Sequence, residues 1–353
     1  MTTARLDAIV RQKDPALKAA VEALSRGEVT DAIHRLDALG HVHEIADRDA
    51  RLGAIAEDYL GQPDRTLIVS PDNHSRMEIN QVVHRARQAA GQVDSREHHA
   101  RVLIARQDVT GADRQWAAHY QPGDVVRYTK GSQTYGFEAG EYARVTHVNA
   151  EDNRVTVRRR HGARVTYDPR RLQGVTLYRE ADRAFAVGDR VQFTAPGREW
   201  QIANRELAAV EAIKSHAQMH LRLDSGRLVA FTVKDHSHLD YGYAVTSHSS
   251  QGQTADRVLV HIDLERAGEQ LVNRRLAYVA ISRGRYDAQI YTNDKASLAE
   301  ALSRDVSHRS AIEPCRARDP SAHTIEPSSS PSRAADQTIT HRIEPQHSFG
   351  MGR

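Results

Sequence analysis

Two short segments of this 353-residue chain concentrate groups able to do chemistry. In Tyr243-Ala-Val-Thr-Ser-His-Ser-Ser-Gln-Gly-Gln-Thr254, hydroxyl, imidazole and amide groups crowd together immediately before an apolar run, a density that a pure packing segment does not need. In Leu276-Ala-Tyr-Val-Ala-Ile-Ser-Arg-Gly-Arg285, an apolar helix face ends in Ser282, Arg283 and Arg285, so guanidinium groups emerge where a helix stops. A guanidinium placed there can clamp a phosphate through two parallel hydrogen bonds. Taken alone, the same Ser-Arg pair also serves as a favourable charge at a helix C-terminus.

A third cluster is basic. Arg154, Arg158, Arg159, Arg160, Arg164, Arg170 and Arg171 fall in a stretch of strand-like alternation, which reads either as a solvated strand face or as a surface that tracks phosphates. Close histidine pairs, His98 with His99 and His236 with His238, have no cysteine partner and no third ligand at a recognisable spacing, so no metal site is expected. The sequence contains no Gly-rich loop ending in Gly-Lys-Ser/Thr, the device whose amides and lysine cradle nucleotide phosphates. The nearest glycine spacing, Gly131 to Gly136, is followed by Phe137, and Asp263, at the end of an apolar strand, is followed by Leu264 rather than Glu.

Apolar periodicity indicates which elements position these groups. Asp14 caps a helix with Pro15 at its first position, Leu17, Val21 and Leu24 on one face and Gly27 as its stop. Thr30 opens a second helix that closes at Gly40, His41 to Ile45 is a short strand, and Asp47 opens a third helix. Thr66 to Ser70 reads as a buried strand, followed by Pro71, a cap at Asn73 and a helix through Ile79, Val83 and Ala86. That texture returns near the end, with strands at Arg257 to Asp263 and Ala288 to Asn293 and helices at Asn273 to Ser282 and Lys295 to Arg304; the two stretches are expected to share one sheet. Between them, a β-rich region repeats itself: Tyr120-Gln-Pro-Gly-Asp-Val-Val-Arg-Tyr-Thr matches Phe185-Ala-Val-Gly-Asp-Arg-Val-Gln-Phe-Thr, and the strands after Glu141 match those after Glu206. Each copy reads as a small SH3-like barrel.

Hydrophobic residues make up 39% of the chain and charged residues 27%, with no apolar run long enough for a membrane span, which needs roughly 20 residues. The single cysteine, Cys315, excludes an internal disulfide framework, and no signal-peptide stretch opens the chain, so a cytoplasmic setting is expected. Net charge is only +3, which leaves local clusters rather than a global field to attract an acidic partner. From Ser307 onward the periodicity vanishes, five of the 11 prolines gather and Ile-Glu-Pro occurs three times, which reads as a disordered tail.

Together, Tyr243–Thr254 and Leu276–Arg285 resemble motifs V and VI of superfamily 1 helicases, whose usual forms run Ala-x-Thr-x-His-Lys-x-Gln-Gly and Tyr-Val-Ala-x-Ser-Arg-Ala-Arg. Leu6-Asp-Ala-Ile-Val-Arg11-Gln12 is similar to the arginine-bearing segment after motif III, and Leu67 to Asn80 to the strand and helix of motif IV. The flavour is that of the helicase region of TraI/TrwC-type conjugative relaxases and RecD-like helicases, and it covers residues 1 to 305.

The resemblance implies an α/β fold: a RecA-like parallel-sheet second motor domain in two parts, 1–118 and 236–305, interrupted by tandem SH3-like barrels at 119–235 and followed by the tail at 306–353. It implies that Arg11 and Arg283 are catalytic arginine fingers on the γ-phosphate of a nucleotide held elsewhere, with Gln251 and Gly252 near that nucleotide. Thr246, His248 and Ser250 would couple it to single-stranded DNA; from the basic cluster itself, Arg158, Arg159 and Arg160 are expected as further DNA contacts. Two departures stand out: Ser249 occupies the usual place of a lysine, and Gly284 that of an alanine. ATP and Mg²⁺ would be cofactors of the complete motor only. The implied partners are single-stranded DNA and a Walker-A-containing motor domain or relaxase. The implied activity is ATP-dependent 5′ to 3′ unwinding in plasmid transfer, absent from this chain alone; the alternative is a non-catalytic DNA-binding or adaptor module.

Overall fold

The structure, a computed structural model, describes residues 11–305 except 107, 110, 215–217 and 269. The expected tail, Cys315 and residues 6–10 of the arginine-bearing segment lie outside the described residues.

Local capping explains the first helices. In α1 (Pro15–Arg26) the Asp14 carboxylate accepts from the Leu17 amide at 2.7 Å, and Gly27 takes the left-handed conformation at φ 84° that ends the helix. Helix α2 (Val29–Ala38) starts one residue before the expected Thr30, with no side-chain cap, because the turn at Gly27 and Glu28 leads straight into it. Strand β1 (Val42–Glu44) and α3 (Arg48–Gly61), capped by Asp47, follow as expected. After β2 (Thr66–Ser70), α4 (Asn73–Ala89) is capped by Asp72 rather than Asn73: the Asp72 carboxylate accepts from the Ser75 amide at 2.7 Å and Asn73 sits inside the first turn.

The middle of the chain is antiparallel. Its strands are β3 (His98–Ala105), β4 (Val125–Tyr128), β5 (Tyr142–Asn149), β6 (Arg154–Arg159), β7 (Arg164–Tyr167), β8 (Val175–Phe185), β9 (Arg190–Phe193), β10 (Leu207–Ile213), β11 (Gln218–Leu223), β12 (Leu228–Thr232) and β13 (Leu239–Tyr241). They form two sheets in the orders β3-β8-β4-β5-β6-β7 and β13-β9-β10-β11-β12. Without β3, the first order is the second one over again, strand for strand. The sequence repeat is thus a structural repeat, down to its irregularities. A β-bulge between Val145 and His147 recurs between Val210 and Ala212, and the lone bridge Ser132 to Phe137 recurs as Gly197 to Ile202. Turn aspartates Asp124 and Asp189 accept from the amides of Gln121 and Ala186, three residues back in both copies. The antiparallel sheets extend beyond 119–235 at both ends, because all of β3 pairs with β8 from Tyr178 to Phe185 and β13 pairs with β9.

The chain then returns to the α/β layer with β14 (Ala244–Thr246), β15 (Ala255–Ile262), α5 (Arg274–Ile281), β16 (Gly284–Thr292) and α6 (Leu298–Ser303). Together with β1 and β2 these strands make one five-stranded parallel sheet in the order β1-β16-β15-β2-β14, so the segments on either side of the insertion share a sheet. Alternation along its strands sends Val69, Val245, Val258 and Val260 into a core with α1, α2, α5 and α6. Ile68, Ala244 and Leu259 face the opposite way, into a core with α3, α4 and the second repeat. The first repeat has its own core around Tyr128, Phe137 and Tyr167. Among the described residues no helix is long and apolar enough to cross a membrane.

Candidate nucleotide and nucleic-acid sites

The polar end of α5 is built to hold arginines. Asn273 caps the start of α5, and at its far end the Arg283 side chain folds back over the last turn. Its guanidinium donates to the Val279 carbonyl at 2.8 Å, the Ser282 hydroxyl at 3.1 Å and the Gln253 carbonyl at 3.3 Å. Arg283 is only 7% exposed, yet no carboxylate lies within ion-pair distance of it among the described residues. Burial first, and then the charge of Arg11, hold its pKa below the usual arginine value. Arg11 comes from the other end of the chain and donates to the Ser282 carbonyl at 2.9 Å. Gln12 locks the pair in place: its buried amide donates to the carbonyls of Ser282 (3.0 Å) and Gly284 (2.9 Å), while its own Oε1 has no partner. Two guanidiniums so arranged, both satisfied among the described residues by neutral oxygens, form a site with positive charge left over for an anion. Arg285 differs: it is exposed and faces Asp256 at 3.5 Å.

The segment between β14 and β15 leads from this site to a second one. In the parallel sheet Thr246 pairs with Ser70 at the C-terminal edge, whereas Ala255 pairs with Gly284 at the N-terminal edge. The intervening residues therefore cross the width of the sheet, and Gln253, at their far end, is the residue that touches Arg283. Within the turn the Thr246 hydroxyl bonds to the Ser249 hydroxyl at 3.2 Å. Ser250, expected at DNA, is fully buried and donates its hydroxyl to the Ser247 carbonyl at 2.8 Å, so it shapes the turn and offers no surface to a ligand. Gln251 and Gly252 are exposed, with Gly252 at φ 92°; neither touches Arg283, and Gln253 is the residue that sequence reasoning missed.

Thr246, His248 and Ser249 open onto a groove of about 930 Å³ whose other walls are the N-terminus of α4 and both repeats. Four arginines line it without an ion pair among the described residues: Arg114, Arg127, Arg179 and Arg205. Arg205 donates to the His248 carbonyl at 2.9 Å, tying the second repeat to the turn. Buried Nε groups of Arg114 and Arg127 have no acceptor. None of the four stands out in sequence, since each is an isolated arginine in a strand or loop and only the fold gathers them. The expected Arg158, Arg159 and Arg160 line a separate cavity of about 570 Å³ instead. Arg159 is neutralised there by Glu141, with guanidinium to carboxylate distances of 2.5 and 2.8 Å.

Comparison with known proteins finds matches that cover these segments. Residues 241–289, which contain both chemistry-bearing segments, match the UvrD-like helicase C-terminal domain, and residues 1–47 match a family described as AAA domain. The multifunctional conjugation protein TraI of Escherichia coli is 25% identical over 268 residues, 73% of this chain and 15% of TraI. The conjugal transfer protein TraA of Agrobacterium fabrum is 34% identical over 137 residues, 36% of this chain and 12% of TraA. The chain thus spans a small fraction of these relatives. Among solved structures, one of two coordinating Pif1 helicases at forked DNA aligns over 84% of this chain and 50% of its own, with TM-score 0.42 and 13% identity. Pif1 helicase from Candida albicans aligns over 82% and 56%, with TM-score 0.40 and 12% identity. The resemblance to the C-terminal motor half of superfamily 1 helicases, and to TraI and TraA, therefore rests on matched sequence as well as on motif residues.

Proposed function

We propose that this chain is the C-terminal half of an ATP-dependent DNA helicase motor acting in conjugative transfer in the cytoplasm, with its repeats serving as tandem SH3-like modules. Arg11 and Arg283 stabilise the charge that develops on the γ-phosphate of a nucleotide whose other phosphates are cradled by a separate domain. The groove beside Thr246 and His248 holds single-stranded DNA through phosphate contacts from Arg114, Arg127, Arg179 and Arg205. Mg²⁺ and ATP bind in the completed motor, because this sequence supplies no Gly-Lys-Ser/Thr loop. The observation that carries the reading is the buried Arg283 beside Arg11 with no carboxylate near it among the described residues. Arg257, by contrast, is neutralised by Asp58 and Asp287.

The test mixes the chain with a separately expressed domain carrying that loop, taken from a relative, and measures DNA-stimulated ATP hydrolysis. Arg283→Ala is expected to lose on the order of 10³-fold or more, the loss that follows removal of an arginine finger. Arg283→Lys recovers little, since a point charge on a flexible stem does not reproduce the planar fork. Arg285→Ala, which removes an exposed pair with Asp256 and a contact with the Tyr286 ring, keeps most of the rate. An active mixture in which Arg283→Ala is as fast as wild type would overturn the assignment.

A further inference from the structure

The 570 Å³ cavity lies between the two repeats and is lined by the β6–β7 hairpin of the first and the Lys234–His238 connection of the second. Its charge is not balanced. Arg158, Arg160 and Lys234 are exposed and make no ion pair among the described residues. Arg158 also stands directly opposite Arg144 on β5 and Arg164 on β7, a like-charge ladder across three strands. Directly opposed like charges destabilise a sheet. Among the described residues only Arg144 of the three is relieved, by Glu180. The floor is of another kind: Leu103, Val125, Tyr142 and two buried imidazoles, His236 and His238. Each imidazole keeps one ring nitrogen without a partner among the described residues, and burial lowers the pKa of both rings, that of His238 to about 3. A cationic rim over an apolar, neutral hydrogen-bonding floor is complementary to a nucleotide unit, with phosphate at the rim and base below. Pro196 lines both this cavity and the arginine groove, so the two are adjacent.

We infer that the cavity between the repeats is a second binding site for the nucleic-acid strand, gripping phosphodiester groups through Arg158, Arg160 and Lys234 after the strand leaves the groove beside Thr246. This rests on the reading that the groove itself takes single-stranded DNA. DNA binding is then bipartite: a short oligonucleotide fills the groove alone, and a longer one also reaches the cavity. Arg159 contributes little, because Glu141 already neutralises it.

The experiment titrates the full chain with fluorescent oligothymidylates of increasing length at several salt concentrations. Wild type is expected to gain affinity in two steps. The triple variant Arg158→Ala, Arg160→Ala, Lys234→Ala should match wild type on the shortest bound oligonucleotide and lose the second step. On long ones the slope of log affinity against log salt should fall by about 2, at ~0.7 for each of three phosphate contacts to a single strand. Arg127→Ala with Arg205→Ala should weaken binding at every length. If the triple variant keeps the wild-type length profile and salt slope, the cavity site is overturned while the groove stands. If wild type binds at no length, the groove reading falls, and the cavity site with it.

Discussion

Gly284 shows how tightly single residues around Arg283 are constrained. It begins β16 where the register with β15 shifts, and a Cβ built on it would come within 2.3 Å of the Asp287 carbonyl oxygen and 3.2 Å of Val258. Relatives of the motif usually carry alanine there, so that substitution looks harmless by resemblance. Here Gly284→Ala is expected to destabilise the chain by about 1–3 kcal/mol, the usual cost of forcing atoms into a packed site. A urea titration of the variant checks this, and an unchanged midpoint would contradict it. The arginines of this site were legible in sequence because motif residues sit in a fixed order along the chain. Gln12 and Gln253 were not, because a glutamine that holds an arginine through backbone carbonyls carries no sequence signal of its own.

At the scale of elements, the two repeats have diverged at one homologous group. The turn aspartate of the first, Asp124, receives the Arg106 guanidinium at 2.7 Å; that of the second, Asp189, receives His84 from α4 at 2.7 Å and also the Tyr243 hydroxyl. Tyr243 leads directly into β14, and Asn80, one turn earlier on α4, bonds both backbone groups of Ala244. The second repeat is thereby fastened to the strand that carries Thr246, through a group that titrates. Burial opposes a charge on His84, but the hydrogen bonds and charges of Asp189 and Glu97 outweigh it and raise its pKa above 6.5. The folded state therefore binds the proton more tightly than the unfolded chain. The resulting stabilisation is complete below about pH 6.5, the unfolded value, and is lost as pH rises through the folded one. The stability gap between wild type and His84→Gln should accordingly be larger at about pH 6 than at about pH 9, read from denaturation midpoints. A gap independent of pH would mean that the imidazole acts as a neutral donor only. Helices α1 and α3 were legible down to their caps because capping is local; β3 and β13 were not recognised as parts of the two sheets, since what makes them so is pairing with β8 and β9, far along the chain. Strand β16 also starts four residues before the expected Ala288, because Gly284 to Asp287, with Arg285 and Tyr286 exposed, form no apolar run.

Across the whole molecule, the distribution of cores decides which parts stand or fall together. The second repeat has no core of its own: Phe185, Val191, Leu221 and Tyr241 belong to the same cluster as Ile55 of α3, Ile79 of α4 and Leu259 of the parallel sheet. The first repeat does, with Tyr128, Phe137, Val157 and Tyr167 closed among themselves. Its sheet is joined to the rest through β3 and β8, where Val102 packs into the shared core, and through polar contacts such as the Leu103 amide to the Ser237 carbonyl at 2.8 Å, Arg183 to Asp240 at 2.8 Å and, from β5, Tyr142 to His238 at 2.6 Å. Sequence alone showed two equal copies; that one copy is grafted into the motor layer and the other stands on it follows from packing that no repeat signal records. Hydrogen exchange is expected to separate them. Amides of β4 to β7 should open as one unit, with a free energy distinct from and lower than that of the parallel sheet, because opening them exposes only their own small core. Amides of β9 to β12 should exchange together with β2 and β15, since freeing the second repeat opens the core it shares with α3, α4 and one face of the parallel sheet and exposes the buried carboxylate of Asp189. If β4 to β7 and β9 to β12 exchange at one common rate under denaturant, the two repeats are equally integrated and the asymmetry argued from the cores is wrong. If β9 to β12 instead open alone, the network of His84, Asp189 and Tyr243 does not couple that repeat to the strand bearing Thr246.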